Sequence, residues 1–186
     1  MAEKSKPWKL VVVGVAFKFT PQGVRVMTNR RKVQNPQYDP LYNGTWEAMG
    51  ETVEPGENIF EALIRGFREE CGVPDFKPEI YGMGGKIWFS TGKGDSVQCL
   101  KPLCYLHNMG LPQPWSGPAF ALQVRPDFEP NFNLADGEAN AVKWWDPSEL
   151  GKAIERNPQS FMGWHMPALL KLCERLIRGG WNLVKL

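Results

Sequence analysis

The chain has 186 residues, of which 42% are hydrophobic, and a formal net charge of +2. That length suits one domain, 1–186, with enough apolar side chains for a substantial core, and the charge is too even to indicate a nucleic-acid surface. The longest apolar run, Leu10 to Phe17, is far short of the ~20 residues that span a bilayer, so membrane insertion is excluded and a cytoplasmic protein is expected.

The N-terminal Met1 to Lys6 is polar, lacks the apolar stretch of a signal sequence, and is expected to fray. Leu10 to Phe19, rich in valine and phenylalanine, reads as a buried strand. Pro21-Gln22-Gly23 turns the chain, and Val24 to Met27 alternates as its hairpin partner. Asn35 to Tyr42 reads as a loop, and Thr45 to Met49 as a short strand entering a turn at Gly50. A helix is expected from near Glu57, after the Pro55-Gly56 break, with Ile59, Phe60, Leu63, Ile64 and Phe67 facing the core. Gly72 ends it. From Glu79 to Arg125 the pattern suggests three strands, broken at Gly84-Gly85, Thr91 to Asp95 and a proline-rich loop, Leu111 to Pro118. Ala141 to Trp145 reads as a strand, and Asp146-Pro147 opens a helix to about Arg156. A last helix carries Pro167 in its first turn and a stripe of Leu169, Leu170, Cys173, Leu176 and Ile177, stopped by Gly179-Gly180. This order gives an α+β domain.

One segment carries the chemistry. Gly50 to Val73 reads GETVEPGENIFEALIRGFREECGV, with Glu57, Arg65 and the adjacent acids Glu69 and Glu70 in one loop and the following helix. Neighbouring carboxylates repel unless a cation lies between them, and a divalent ion carrying a phosphate fits that need. The segment resembles the box of the Nudix hydrolase family: G, five residues, E, seven residues, then R-E-U-x-E-E-x-G-U, with U a bulky apolar residue. Glu57, Arg65, Phe67, Glu69, Glu70, Gly72 and Val73 take their places at the right spacing. Two positions depart from the box. Glu51 stands where it opens with glycine, though Gly50 precedes it, and Gly66 replaces the acid after Arg65.

The resemblance implies an α/β/α sandwich with a mixed sheet between helices. It also implies Mg2+ or Mn2+ held by Glu69, Glu70 and the Gly50 carbonyl. Arg65 and Glu57 would pair to hold the loop against the helix, Gly72 would be structural, and water would attack a pyrophosphate. Hard oxygen ligands suit these ions, which polarise phosphoryl groups and acidify bound water. Gly66 leaves the base open. Glu51, as if exchanged with it, is one candidate, and Glu138, just before the Ala141 to Trp145 strand, is another. The alternative is a catalytically silent module that binds a nucleotide or a protein.

Eight tryptophans are a high count. Most belong to a core, but Trp46, next to the box, is a candidate to stack a nucleobase, and with Arg65 it is a candidate substrate-binding residue. His107 and His165 read as structural. Cys71, Cys99, Cys104 and Cys173 lack paired C-x-x-C spacing, which argues against zinc and for reduced thiols, buried at Cys71 and Cys173. Marks of particular Nudix substrates are missing: Pro78 comes too early for ADP-ribose hydrolases and Tyr81 too early for diadenosine polyphosphate hydrolases. The partner expected is a nucleotide-type small molecule. A homodimer is possible through aromatic loops at Tyr38 to Tyr42 and Leu111 to Trp115.

Overall fold

The computed structural model describes residues 8–33, 42–87, 101–108 and 114–179. Outside them lie Met1 to Lys6, most of the Asn35 to Tyr42 and Leu111 to Trp115 loops, Trp88, the Thr91 to Asp95 break, Cys99 and Gly180.

Nine strands among the described residues make one mixed sheet: β1 (Lys9–Thr20), β2 (Gly23–Arg31), β3 (Trp46–Glu47), β4 (Met49–Thr52), β5 (Glu79–Gly82), β6 (Gly85–Lys86), β7 (Cys104–Asn108), β8 (Trp115–Gln123) and β9 (Ala139–Trp145). β1 is the axis. One edge pairs in parallel with β8; the other pairs antiparallel with β4 along Val11 to Gly14 and with β2 from Phe17 to Thr20. Helix α1 (Ile59–Cys71) covers one face of the sheet, and α2 (Pro147–Arg156) with α3 (Met166–Ile177) covers the other. Successive side chains of β1 point to opposite faces, so Val13, Val15 and Phe17 enter the α2–α3 core while Val12 and Ala16 pack against α1. Burial on both faces explains why this strand reads as a continuous apolar run. The architecture is the expected α/β/α sandwich with a mixed sheet between helices.

Several local expectations change. Gly50 is not a turn residue: it lies in β4, opposite Val13. The Thr45 to Met49 strand is split, because Glu47 pairs with β2 and Met49 with β1. α1 starts at Ile59, where the Asn58 side chain accepts from the Phe60 and Glu61 N–H groups and the Glu61 carboxylate accepts from Asn58 N–H. Glu57 is therefore outside the helix. β8 runs through Pro118, expected in a loop, with Tyr105 opposite it. On α3, Leu170 and Ile177 are 38% and 62% exposed, and Ala168 and Leu172 take the core positions. Cys71 and Cys173 are buried free thiols, as expected, and Cys104 is free and half-buried. Among the described residues, no helix is long and apolar enough to cross a membrane.

Candidate active site

The middle of α1 meets β4. Arg65 on the helix clamps this junction: Nε donates to Glu57 Oε1 at 3.0 Å, and Nη2 to Glu57 Oε2 at 3.0 Å and to the Thr52 carbonyl at 2.9 Å. Its Nη1 lies 3.3 Å from both Glu51 Oε2 and Glu69 Oε2. The paired Arg65 donors hold the Glu57 carboxyl below the usual carboxylate range. Glu57 also accepts from the Glu54 N–H at 3.1 Å, which fixes its carboxylate within the loop that Arg65 ties to the helix.

The far end of α1 is tied to a second loop. Gly72 caps the helix in the left-handed region, with φ 62°. Asn131 N–H then donates to the Cys71 carbonyl at 2.7 Å, and Asp136 N–H to the Glu69 carbonyl at 3.0 Å. These bonds satisfy carbonyls the helix end leaves open, and they carry Asp136 and Glu138 to the acid pair. Glu70 is only 6% exposed. Burial, reinforced by Glu47, Glu138, Asp136 and Glu51, pushes its carboxyl well above the usual range. Burial also raises the Glu51 carboxyl. The Thr52 N–H bond and Arg65 oppose that rise, and Glu69 and Glu138 add to it.

Beside these acids opens a cleft of about 270 Å3, lined by Lys9, Arg31, Gly50, Glu51, Glu70 and Trp115 among others. The buried side chains of Glu47 and His165 also face it, with His165 Nδ1 3.9 Å from Glu47 Oε2.

A model of the NUDIX domain matches residues 8–164 of this chain. The chain belongs to the Nudix family. Solved structures agree at the level of fold. The NUDIX domain of Shewanella oneidensis NrtR, complexed with ADP ribose, superposes with a TM-score of 0.60 at 16% identity, covering 92% of this chain and 90% of that one. A C. elegans Ap4A hydrolase binary complex gives 0.59 at 15%, covering 92% and 98%. The MutT protein of Methanosarcina mazei gives 0.58 at 15%, covering 93% and 97%. A comparison with curated protein sequences finds no match.

Within this Nudix fold, Glu51, Glu69, Glu70, Gly50 and Glu138 come together from β4, α1 and the loop before β9. Arg65, a candidate for binding substrate, instead spends its donors on Glu57, Thr52, Glu51 and Glu69. Trp46 packs edge-on against Trp145 with ring centres 6.3 Å apart, and among the described residues Trp115 lines the cleft. Among the described residues no three His, Cys, Asp or Glu side chains stand close enough to hold a metal ion as they are. The donor chemistry still fits a hard divalent cation, since the carboxylates that converge here raise one another's affinity for positive charge.

Sequence reading missed Glu47 and took His165 as structural, with no place beside the cleft. They are far apart along the chain, and neither belongs to a local motif. His165 is 7% exposed, and burial pushes its imidazole down to about 3. Above pH 6.5 the ring is neutral in both folded and unfolded chains. As the pH falls from 6.5 towards 3 only the unfolded chain takes up the proton, so the fold loses about 1.4 kcal/mol per pH unit through this group. Urea denaturation of wild type and His165→Asn across that window should show this slope in the difference between them.

Proposed function

We propose that this Nudix protein is a metal-dependent hydrolase that cleaves the pyrophosphate of a nucleoside diphosphate linked to another moiety. The observation that carries the reading is the acid pair of α1, clamped by the Arg65–Glu57 frame beside a cleft with both basic and aromatic walls. ADP ribose and Ap4A, named for two structures of the same fold, both contain such a linkage.

Glu69, Glu70 and the Gly50 carbonyl would hold Mg2+ or Mn2+, which when bound polarises a phosphoryl oxygen and makes coordinated water more acidic. Arg65 and Glu57 keep β4 and α1 at a fixed separation, so the carboxylates do not have to be ordered at each turnover. Lys9 and Arg31 supply positive charge on the cleft wall for substrate phosphates. Trp115 offers a ring face to a nucleobase. Glu51 or Glu138 takes the proton from the attacking water.

The test is a mass-spectrometric screen of nucleotide sugars, dinucleotides and nucleoside triphosphates with Mg2+ and with Mn2+, run beside Glu70→Gln. Turnover that disappears in the variant is the expected result. No turnover across the panel, with thermal stabilisation by one nucleotide, would replace the hydrolase with a silent binding module.

A further inference from the structure

Gly66 sits in the middle of α1, where glycine weakens a helix relative to alanine, and it is buried. What occupies the space beside it is the side chain of Glu51. A Cβ built on Gly66 would stand 2.8 Å from Glu51 Cβ and 3.1 Å from both Glu51 Cγ and Oε2. The strand and the helix approach so closely that only one of the two positions has room for a side chain.

We propose that Glu51 and Gly66 form one functional unit: the carboxylate over the middle of α1 is carried by β4, and position 66 is glycine to admit it. The inference rests on the metal-dependent reading above, adds Glu51 to its ligand set and leaves the base to Glu138.

Residues three and four apart share a helix face, so Glu69 and Glu70 lie on the side of α1 that bears Gly66. Glu51 reaches that face from the strand. Its Oε1 is fixed by the Thr52 N–H at 2.6 Å, which leaves Oε2 over the helix, 3.3 Å from Arg65 Nη1. Arg65 does not need Glu51 as an anchor, because Glu57 takes two of its hydrogen bonds and the Thr52 carbonyl a third. A carboxylate placed here, among others, with one shared guanidinium has its main use as a ligand to a cation. The ion would draw on Glu51, Glu69 and Glu70 together, and a side chain at position 66 would push Glu51 out of that set.

The experiment is a Mn2+ titration followed by electron paramagnetic resonance of the free ion, with metal-free thermal unfolding of the same proteins. It compares wild type, Glu51→Gln, Gly66→Ala, Glu51→Gly and the double variants Glu51→Gly/Gly66→Ala and Glu51→Gly/Gly66→Glu. Glu51→Gln and Gly66→Ala should each weaken Mn2+ binding about tenfold or more, and Glu51→Gly/Gly66→Glu should recover most of the loss. Gly66→Ala should raise the unfolding midpoint by a few degrees only in the Glu51→Gly background, since the added methyl then has room. Wild-type Mn2+ affinity in Glu51→Gln, or the same gain from Gly66→Ala in both backgrounds, would overturn the proposal while leaving the hydrolase reading intact. A wild-type protein that binds no Mn2+ would overturn both.

Discussion

Glu70→Gln should reduce turnover by more than about a hundredfold and, at pH 8 without metal, make the fold more stable by about 1–3 kcal/mol. The two effects have opposite signs because they act on the same charge. Glu70 is buried, and Glu47, Glu138, Asp136 and Glu51 all disfavour its ionised form. Below pH 4.5 the carboxyl is protonated in folded and unfolded chains alike, and the group contributes nothing to the pH dependence. As the pH rises above 4.5 the unfolded chain ionises first. The folded state then loses stability until its own, higher, pKa is passed, and the full penalty remains above that. Glutamine keeps the shape and removes the penalty. It also removes the strongest candidate to compensate a divalent ion, which is why the activity falls. Urea denaturation with a chelator present, repeated with Mg2+, checks both parts: the ion should stabilise wild type much more than the variant. Loss of stability in Glu70→Gln at pH 8 without metal would show instead that the carboxylate is held by favourable partners.

The box helix was legible because its signals are local. Periodic Phe60, Leu63 and Phe67, the acid pair and the terminal glycine need no knowledge of the rest of the chain, and all three phenylalanine and leucine positions are buried as the spacing requires. The family and the sandwich followed from the same short segment. What failed depended on partners distant in sequence. Gly50 read as a turn because the strand opposite it, β1, begins about forty residues earlier, and a glycine followed by an acid carries no strand signal. The start of β8 was hidden by its glycine and proline, yet β1 and β7 on either side give it partners. Leu170 and Ile177 fit a helical stripe wide enough to include them, but the sheet face that α3 covers is narrower. The Asn58 cap is the miss with a usable signal, since asparagine followed three residues later by glutamate marks a helix start. The approach of Glu51 to Gly66 could be suspected from two departures within one box, whereas the steric exclusion between them is a property of β4 lying against α1.

Gly72→Ala should be the most damaging single methyl in the site, costing about 3 kcal/mol or more and most of the activity. Its φ of 62° already disfavours any residue with a Cβ. The added atom would also stand 2.1 Å from the Asn131 carbonyl oxygen and 2.8 Å from Ala135 N, both backbone atoms that cannot rotate away. The loop from 131 to 136 must therefore move, and that loop supplies the N–H groups that close the end of α1. Glu138 follows it directly, so the shift would reach the acid cluster as well as the helix cap. Gly137→Ala provides the comparison. Its φ is 91°, but nothing lies within 4 Å of the added Cβ. Backbone strain alone should cost about 1 kcal/mol there. Chemical denaturation of the two variants thus separates strain from collision. Equal losses would mean that the loop is not packed on the helix end, and Glu138 would then have no fixed place beside Glu70.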